Sequence, residues 1–368
     1  MNILLILPPS KRLLQIQEPS FPLGLAYLAA VLQQEGHNVH IYNVDLDPEK
    51  GIETDAALTS NSEQHLQANF NLHKLPHILD DKNFPLWKEV SNTIEQYEPD
   101  IVGISVTTLT FDSAMKLASL CKEYKSDLKV IMGGHHPTID PDGTLKNDNV
   151  DFVIRGEGEE TIKELIQLIV NNNNKFDSID GLSYRNNGRI KHNQPRALIK
   201  NLDILPLPAR NLLVDQDRYP NLFNIGVMGI SRGCPWQCGF CSSSAVWGRN
   251  VRCRSTQNVI QEIKVLMTEY GAERIYFYDD TFTLRRDRVI ELCQSFLHEN
   301  VKFKWLCMSR ADCLDDELLR LMKEAGCQAI VMGVESGSQR ILDFIRKEES
   351  LAKVHEAARL IKKHGIWL

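Results

Sequence analysis

No stretch of the 368-residue sequence approaches the roughly eighteen consecutive apolar residues of a membrane span. The apolar opening NILLIL (residues 2–7) stops at Pro8-Pro9 and has no basic region before it, so it does not read as a secretory leader. No large excess of charge of either sign is present. The net of -6 gives no electrostatic reason to expect nucleic acid or an anionic membrane as a partner. Cysteine is sparse and odd in number, nine in all, which argues against a disulfide framework and for a cytoplasmic protein. Apolar content of 43% and charged content of 24% are those of an ordinary soluble globular protein, and the length suggests two domains.

One further absence is local. Between residues 225 and 261 there is no Asp or Glu, while Arg232, Arg249, Arg252 and Arg254 are present. Inside this acid-free stretch lies SRGCPWQCGFCSSSAVWGR (231–249), with Cys234, Cys238 and Cys241 spaced C-x-x-x-C-x-x-C. Prolines and glycines keep the segment out of regular helix or strand, and three thiols this close suit one soft metal centre. A four-iron cluster takes four ligands, so three thiolates leave one iron open for chemistry. The bland alternative is a structural zinc knuckle, for which Cys253 is the nearest fourth thiol. Cys121, Cys253, Cys293, Cys307, Cys313 and Cys327 are scattered and read as free thiols rather than ligands of a second cluster.

Residues 1–170 alternate short apolar strands with amphipathic helices. Strands are expected at 2–7, 37–44, 100–106, 128–132 and 151–154, with helices at 23–34, 85–97, 112–124 and 158–170. That order predicts a doubly wound, Rossmann-like parallel sheet, whose ligands bind beyond the carboxyl ends of its strands. Those ends carry a hydroxyl-rich loop with Ser105, Thr107 and Thr108 and a glycine loop with Gly133, Gly134 and His135. Glycine allows close backbone approach and hydroxyls donate to ligand oxygens, which suits a large ligand with a phosphorylated tail, although ordinary loop chemistry accounts for them equally. Residues 47–81 lose the pattern and read as an insertion or lid. Residues 171–222 read as a boundary region, with a hairpin turning at Asn187-Gly188 and a proline-bearing linker at 201–220.

Residues 223–368 predict four βα units, with strands at 224–230, 274–278, 302–308 and 329–334. Serial parallel units with polar residues at their strand ends resemble part of a TIM-type barrel, and an open edge after four units suggests a truncated barrel.

A cysteine loop after the first strand of such a barrel, with Phe240 before the last cysteine, resembles the radical S-adenosylmethionine (SAM) superfamily. The resemblance implies a [4Fe–4S] cluster on Cys234, Cys238 and Cys241, with SAM at the open iron and cleaved to a 5′-deoxyadenosyl radical. It further implies Phe240 near the adenine, Asp279 and Asp280 near the SAM amino group, Arg310 against its carboxylate, and Glu335 against the ribose or amine. Residues 21–27 (FPLGLAY), the SVTT and GGHHPT loops, VIRGEGEE (153–160) and Ser242-Ser243-Ser244 make the whole chain similar to the cobalamin-binding radical SAM class. That class contains methyltransferases and the anaerobic magnesium-protoporphyrin ester cyclase type. Ser105, Thr107, Thr108, Gly133, Gly134 and His135 then become the implied cobalamin contacts. The D-x-H-x-x-G signature of a lower axial histidine is missing, since PPSKRL follows the first strand, and this implies cobalamin without a protein imidazole ligand. The implied partners are a small-molecule or natural-product substrate and an electron donor such as flavodoxin or ferredoxin. Methyl transfer is the leading expectation, an oxidative cyclase the second, and a cluster or cobalamin sensor the non-enzymatic third.

Overall fold

The computed structural model describes residues 1–14, 21–46, 73–216 and 226–368. The chain forms two compact units, Met1–Ile199 with Leu205–Pro220, and Lys200–Ile204 with Asn221–Leu368. Among the described residues no helix is long and apolar enough to cross a membrane.

In the first unit β1 (Asn2–Leu7), β2 (Asn38–Asn43), β3 (Ile101–Ser105), β4 (Lys129–Gly133) and β5 (Phe152–Ile154) run parallel. They continue into an antiparallel hairpin, β6 (Leu182–Asn186) and β7 (Arg189–His192), giving the order β2-β1-β3-β4-β5-β6-β7. The parallel part is the doubly wound sheet expected. The hairpin expected at Asn187-Gly188 is present, and it pairs with β5 as the outer edge of this sheet rather than standing in a boundary region.

Alternate residues of the central strands serve opposite faces. Leu4 and Ile6 of β1, Val102 and Ile104 of β3, and Val130 and Met132 of β4 share one core with Leu86, Trp87, Val90 and Ile94 of helix Pro85–Tyr97 and Leu117 of helix Phe111–Tyr124. Gly103, paired with Leu5, has no side chain because a Cβ there would lie 2.7 Å from the Leu5 methyl. Residues 47–72 of the expected insertion lie outside the described residues. The end of that segment is no lid: helix Leu75–Asp80 packs Leu75, Ile78 and Leu79 on the core, and Trp87 Nε1 donates to the Ile78 carbonyl at 2.9 Å.

The second unit contains β8 (Val227–Met228), β9 (Ser231–Arg232), β10 (Arg252–Cys253), β11 (Arg274–Phe277), β12 (Lys304–Ser309) and β13 (Cys327–Met332). Strands β8, β11, β12 and β13 are parallel neighbours in that order. Residues 224 and 225 of the first expected strand, and 217–220 of the linker, lie outside the described residues. Helices Thr256–Glu269, Arg286–His298, Asp316–Glu324 and Leu351–Lys363 follow the four strands in turn, as the βα reading requires. Three start on a capping side chain, with Ser255, Asp315 and Ser350 accepting from the backbone three residues on. The core is aromatic. Phe277 contacts Phe282, Phe296, Phe303 and Trp305 with centroids 4.8–6.5 Å apart, and Trp305 Nε1 donates to the Ala325 carbonyl. A short helix, Gln339–Phe344, precedes the last one and was not foreseen.

Candidate functional site

The cysteine loop is closed at its base by a two-residue clasp. β9 and β10 pair antiparallel, Arg232 opposite Arg252 and Ser231 opposite Cys253. Gly233 then turns with φ +104°, and a Cβ there would meet the Asn250 carbonyl oxygen at 2.5 Å, so only glycine lets the two arms approach. Cys234 N–H donates to the Gly248 carbonyl at 3.3 Å, and Gly239 N–H donates to the Ile345 carbonyl at 2.8 Å. The loop is thus tied both to its own exit and to the segment before the last helix.

Asp279, at the end of β11, fastens the clasp to the sheet. Its carboxylate accepts from the backbone N–H groups of Ile230 and Ser231 and from the Ser231 hydroxyl, and the residue is only 1% exposed. Burial raises its pKa to about 6, opposed by these donors. The SAM amino group expected at Asp279 is therefore not met by a free carboxylate. Its oxygens are taken up by positioning the loop. Asp280 stands one residue nearer the opening and accepts from the Ser243 hydroxyl, at the start of helix Ser243–Trp247.

Arg310, at the end of β12, is also committed. It makes a bidentate pair with Asp312 at 3.0 and 2.9 Å and donates to the carbonyls of Lys347 and Glu348. Its guanidinium lies over the ring of Trp236, between the first two cysteines. The carboxylate clamp implied for Arg310 is thus taken by Asp312. Glu335, past the end of β13, adopts φ +64° and meets Lys347 Nζ at 3.3 Å. Phe240 remains 54% exposed.

The thiols fit a cluster. All three cysteines are free; Cys234 and Cys238 are partly buried and Cys241 is exposed. The Cys234 thiol is pushed up by burial, and further by Asp280 and by the sulfurs of Cys241 and Cys238, although the Trp236 N–H favours its thiolate. The three sulfurs lie within electrostatic reach of one another, so a cationic centre would favour their thiolate forms. Ser243 N–H also points at the Cys241 sulfur at 3.5 Å, the kind of donor that tunes cluster sulfur ligands. Among the described residues no three His, Cys, Asp or Glu side chains converge as around a single ion. Cys253 lies in the clasp with its thiol pushed up by burial.

The loops implied for cobalamin gather in the first unit. Ser105 pairs with Gly133, Val106 N–H donates to the Gly133 carbonyl at 2.8 Å, and His136 N–H donates to the Val106 carbonyl at 3.1 Å. Gly134 has φ +101°, and a Cβ would lie 2.8 Å from the Val106 oxygen. Thr107 and Thr110 form a reciprocal cap, and Thr108 Oγ1 bonds His136 Nδ1 at 3.1 Å. His135 opens helix His135–Ile139. His136 Nε2 is buried without a hydrogen-bond partner, and its ring packs on Phe111 with centroids 4.1 Å apart. The sheet order reverses between β1 and β3, the usual ligand crevice of such folds, and Thr108 lies just past the end of β3.

Residues the sequence did not single out include Ser231, Trp236, Asp312, Lys347 and Glu349. Their roles depend on partners distant in sequence, apart from Asp312, and no local pattern marks them.

The chain thus joins a cysteine loop at parallel strand ends to a doubly wound sheet with a topological switch point. Residues 228–368 match the radical SAM superfamily and residues 67–166 match the B12 binding domain. An uncharacterized methyltransferase of Pyrococcus horikoshii is 35% identical over 100% of this chain and 72% of its own length. The anaerobic magnesium-protoporphyrin IX monomethyl ester cyclase of Synechocystis is 27% identical over 100% of this chain and 67% of its own. The solved radical SAM methyltransferase TsrM of Kitasatospora setae shares the fold, with TM-score 0.72 and 15% identity, over 99% of this chain and 66% of that one. The chain belongs to the cobalamin-binding branch of the radical SAM superfamily, whose cofactors are a [4Fe–4S] cluster, SAM and cobalamin.

Proposed function

We propose that the protein is a cobalamin-dependent methyltransferase that starts its reaction by reductive cleavage of SAM. The observation that carries this reading is the clasped loop of Cys234, Cys238 and Cys241 at the ends of parallel strands, in a chain that also has a B12 binding domain. A cluster held by Cys234, Cys238 and Cys241 would supply the electron that cleaves SAM, and cobalamin held in the first unit would supply a transferable methyl group.

In this reading Cys234, Cys238 and Cys241 hold the cluster, and Asp279 fixes the root of their loop. Asp280 and Glu335 offer carboxylates toward the ammonium and ribose of SAM, a charge match that favours its binding. Arg310 holds Trp236 and the backbone at Lys347 and Glu348 in place. Exposed Phe240 offers an aromatic face to the adenine. In the first unit Ser105, Thr107, Thr108, Gly133, Gly134 and His135 line the cobalamin crevice. The second sheet is the wall of a TIM-type barrel. The substrate is a small molecule, reduced equivalents come from a flavodoxin or ferredoxin, and the protein works in the cytoplasm.

A cyclase reading has one specific support, the cyclase-named relative that matches the whole chain. Anaerobic reconstitution with iron, sulfide and cobalamin, followed by reductant, SAM and candidate substrates, separates the two. Methyl transfer yields S-adenosylhomocysteine together with 5′-deoxyadenosine; cyclisation yields 5′-deoxyadenosine alone. A fully loaded protein that forms neither, and so behaves as a binding or sensor protein, would sink both.

A further inference from the structure

Residues 345–349 form a short connection between helix Gln339–Phe344 and the last helix, and their contacts exceed what a connection requires. The Ile345 carbonyl accepts from Gly239 in the cysteine loop, and the carbonyls of Lys347 and Glu348 accept from Arg310. Glu349 Oε1 accepts from the backbone N–H groups of Ala311 and Asp312. Arg346 and Glu348, either side of Lys347, both have φ +55°. Paired left-handed residues that are not glycine cost about 1 kcal/mol or more each and persist where surrounding structure holds them.

The segment delivers one side chain. Lys347 is 5% exposed, and its ammonium meets Glu335 at 3.3 Å and Glu349 at 3.9 Å. A buried ammonium is costly to keep, and an apolar side chain would fill the space with less desolvation. Gly333 makes room for the pair, since a Cβ there would lie 2.7 Å from Glu335 Oε1 and 3.3 Å from Lys347 Nζ. Together, Arg310, Asp312, Glu335, Lys347 and Glu349 place two cations among three carboxylates. Glu349 Oε2 is buried without a hydrogen-bond donor, while Glu335 is the partly exposed member that faces outward.

We propose that Lys347 is a positioning residue for SAM: it holds Glu335 by one oxygen and leaves the other for the ligand. The proposal rests on the reading of Glu335 as a SAM contact.

Its test is SAM affinity in cluster-reconstituted protein, measured by equilibrium dialysis beside iron content and cobalamin uptake. Lys347→Met is expected to weaken SAM binding about tenfold, the effect of losing roughly one charge-assisted contact, with iron and cobalamin content unchanged. Lys347→Arg is expected to restore most of the affinity. On a Glu335→Gln background, Lys347→Met should add little. Should Lys347→Met alone not fold, the Lys347→Met, Glu349→Gln pair removes the buried carboxylate left behind and gives the same reading. Unchanged affinity, or affinity that falls only in step with lost iron, overturns the proposal. Cluster-loaded wild type that binds no SAM overturns the Glu335 reading beneath it, a distinct result.

Discussion

Arg310 lies over the Trp236 ring, its guanidinium carbon 4.1 Å from the ring centroid. A residue at the end of β12 thereby holds the interval between the first two cysteines. The contact is partly buried, so its cation–π attraction is worth on the order of 1 kcal/mol or more.

Trp236→Ala is accordingly expected to shorten cluster lifetime in air several-fold, while Trp236→Phe keeps most of it. The decay of the visible iron–sulfur absorbance measures both. Equal lifetimes for the alanine variant and the wild type would contradict the role.

Gly233→Ala should prevent the clasp from closing, because its added carbon meets the Asn250 oxygen at 2.5 Å in a left-handed turn. Iron bound per chain after reconstitution is expected to fall to near zero. Gly271→Ala is the control, since its φ of +63° is also left-handed but nothing lies within 4 Å. It should cost about 1 kcal/mol of stability and leave iron uptake alone.

Asp279 should leave a mark on the pH dependence of stability. Its folded-state pKa of about 6 lies above the roughly 3.9 of an unfolded aspartate. The folded chain therefore keeps this proton after the unfolded chain has lost it. The stability contributed is greatest at low pH and falls by up to about 3 kcal/mol as pH rises from about 4 through about 6. Urea unfolding of wild type and Asp279→Asn across that window should show a difference that shrinks as pH rises. A difference that stays constant would refute the assignment.

The nine cysteines should divide sharply under alkylation. Cys121, Cys293, Cys307 and Cys327 are buried, and burial pushes the Cys121 thiol up to about 12 and that of Cys307 well above its usual range. They should stay unmodified in native protein at neutral pH. Cys238 and Cys241 should react in cluster-free protein and be protected after reconstitution, as read by peptide mass spectrometry.

What the sequence revealed followed its periodicities. The strands buried on both faces, such as 2–7 and 101–105, and helices such as 23–34 and 85–97 stood out because their apolar residues recur at strand or helix spacing. The cysteine spacing is local and named its own chemistry. The clasp is hidden because two-residue strands carry no period; the β6–β7 hairpin is legible from its Asn187-Gly188 turn, but not its pairing with β5, because a polar tract separates them. Asp279 and Arg310 were placed at the right strand ends. Sequence could not tell that their charges are engaged by Ser231 and Asp312, since that depends on how neighbouring elements meet.

The clasp and Asp279 anchor the cysteine loop through backbone hydrogen bonds and one carboxylate, none of them made by sulfur. A zinc finger folds only as its metal arrives, so losing the ion loses the structure. Here the anchoring bonds run through the backbone and Asp279 and not through the metal ligands. Oxygen damage that strips the iron should therefore leave a competent scaffold, and repair becomes a matter of re-metallation rather than of making new protein.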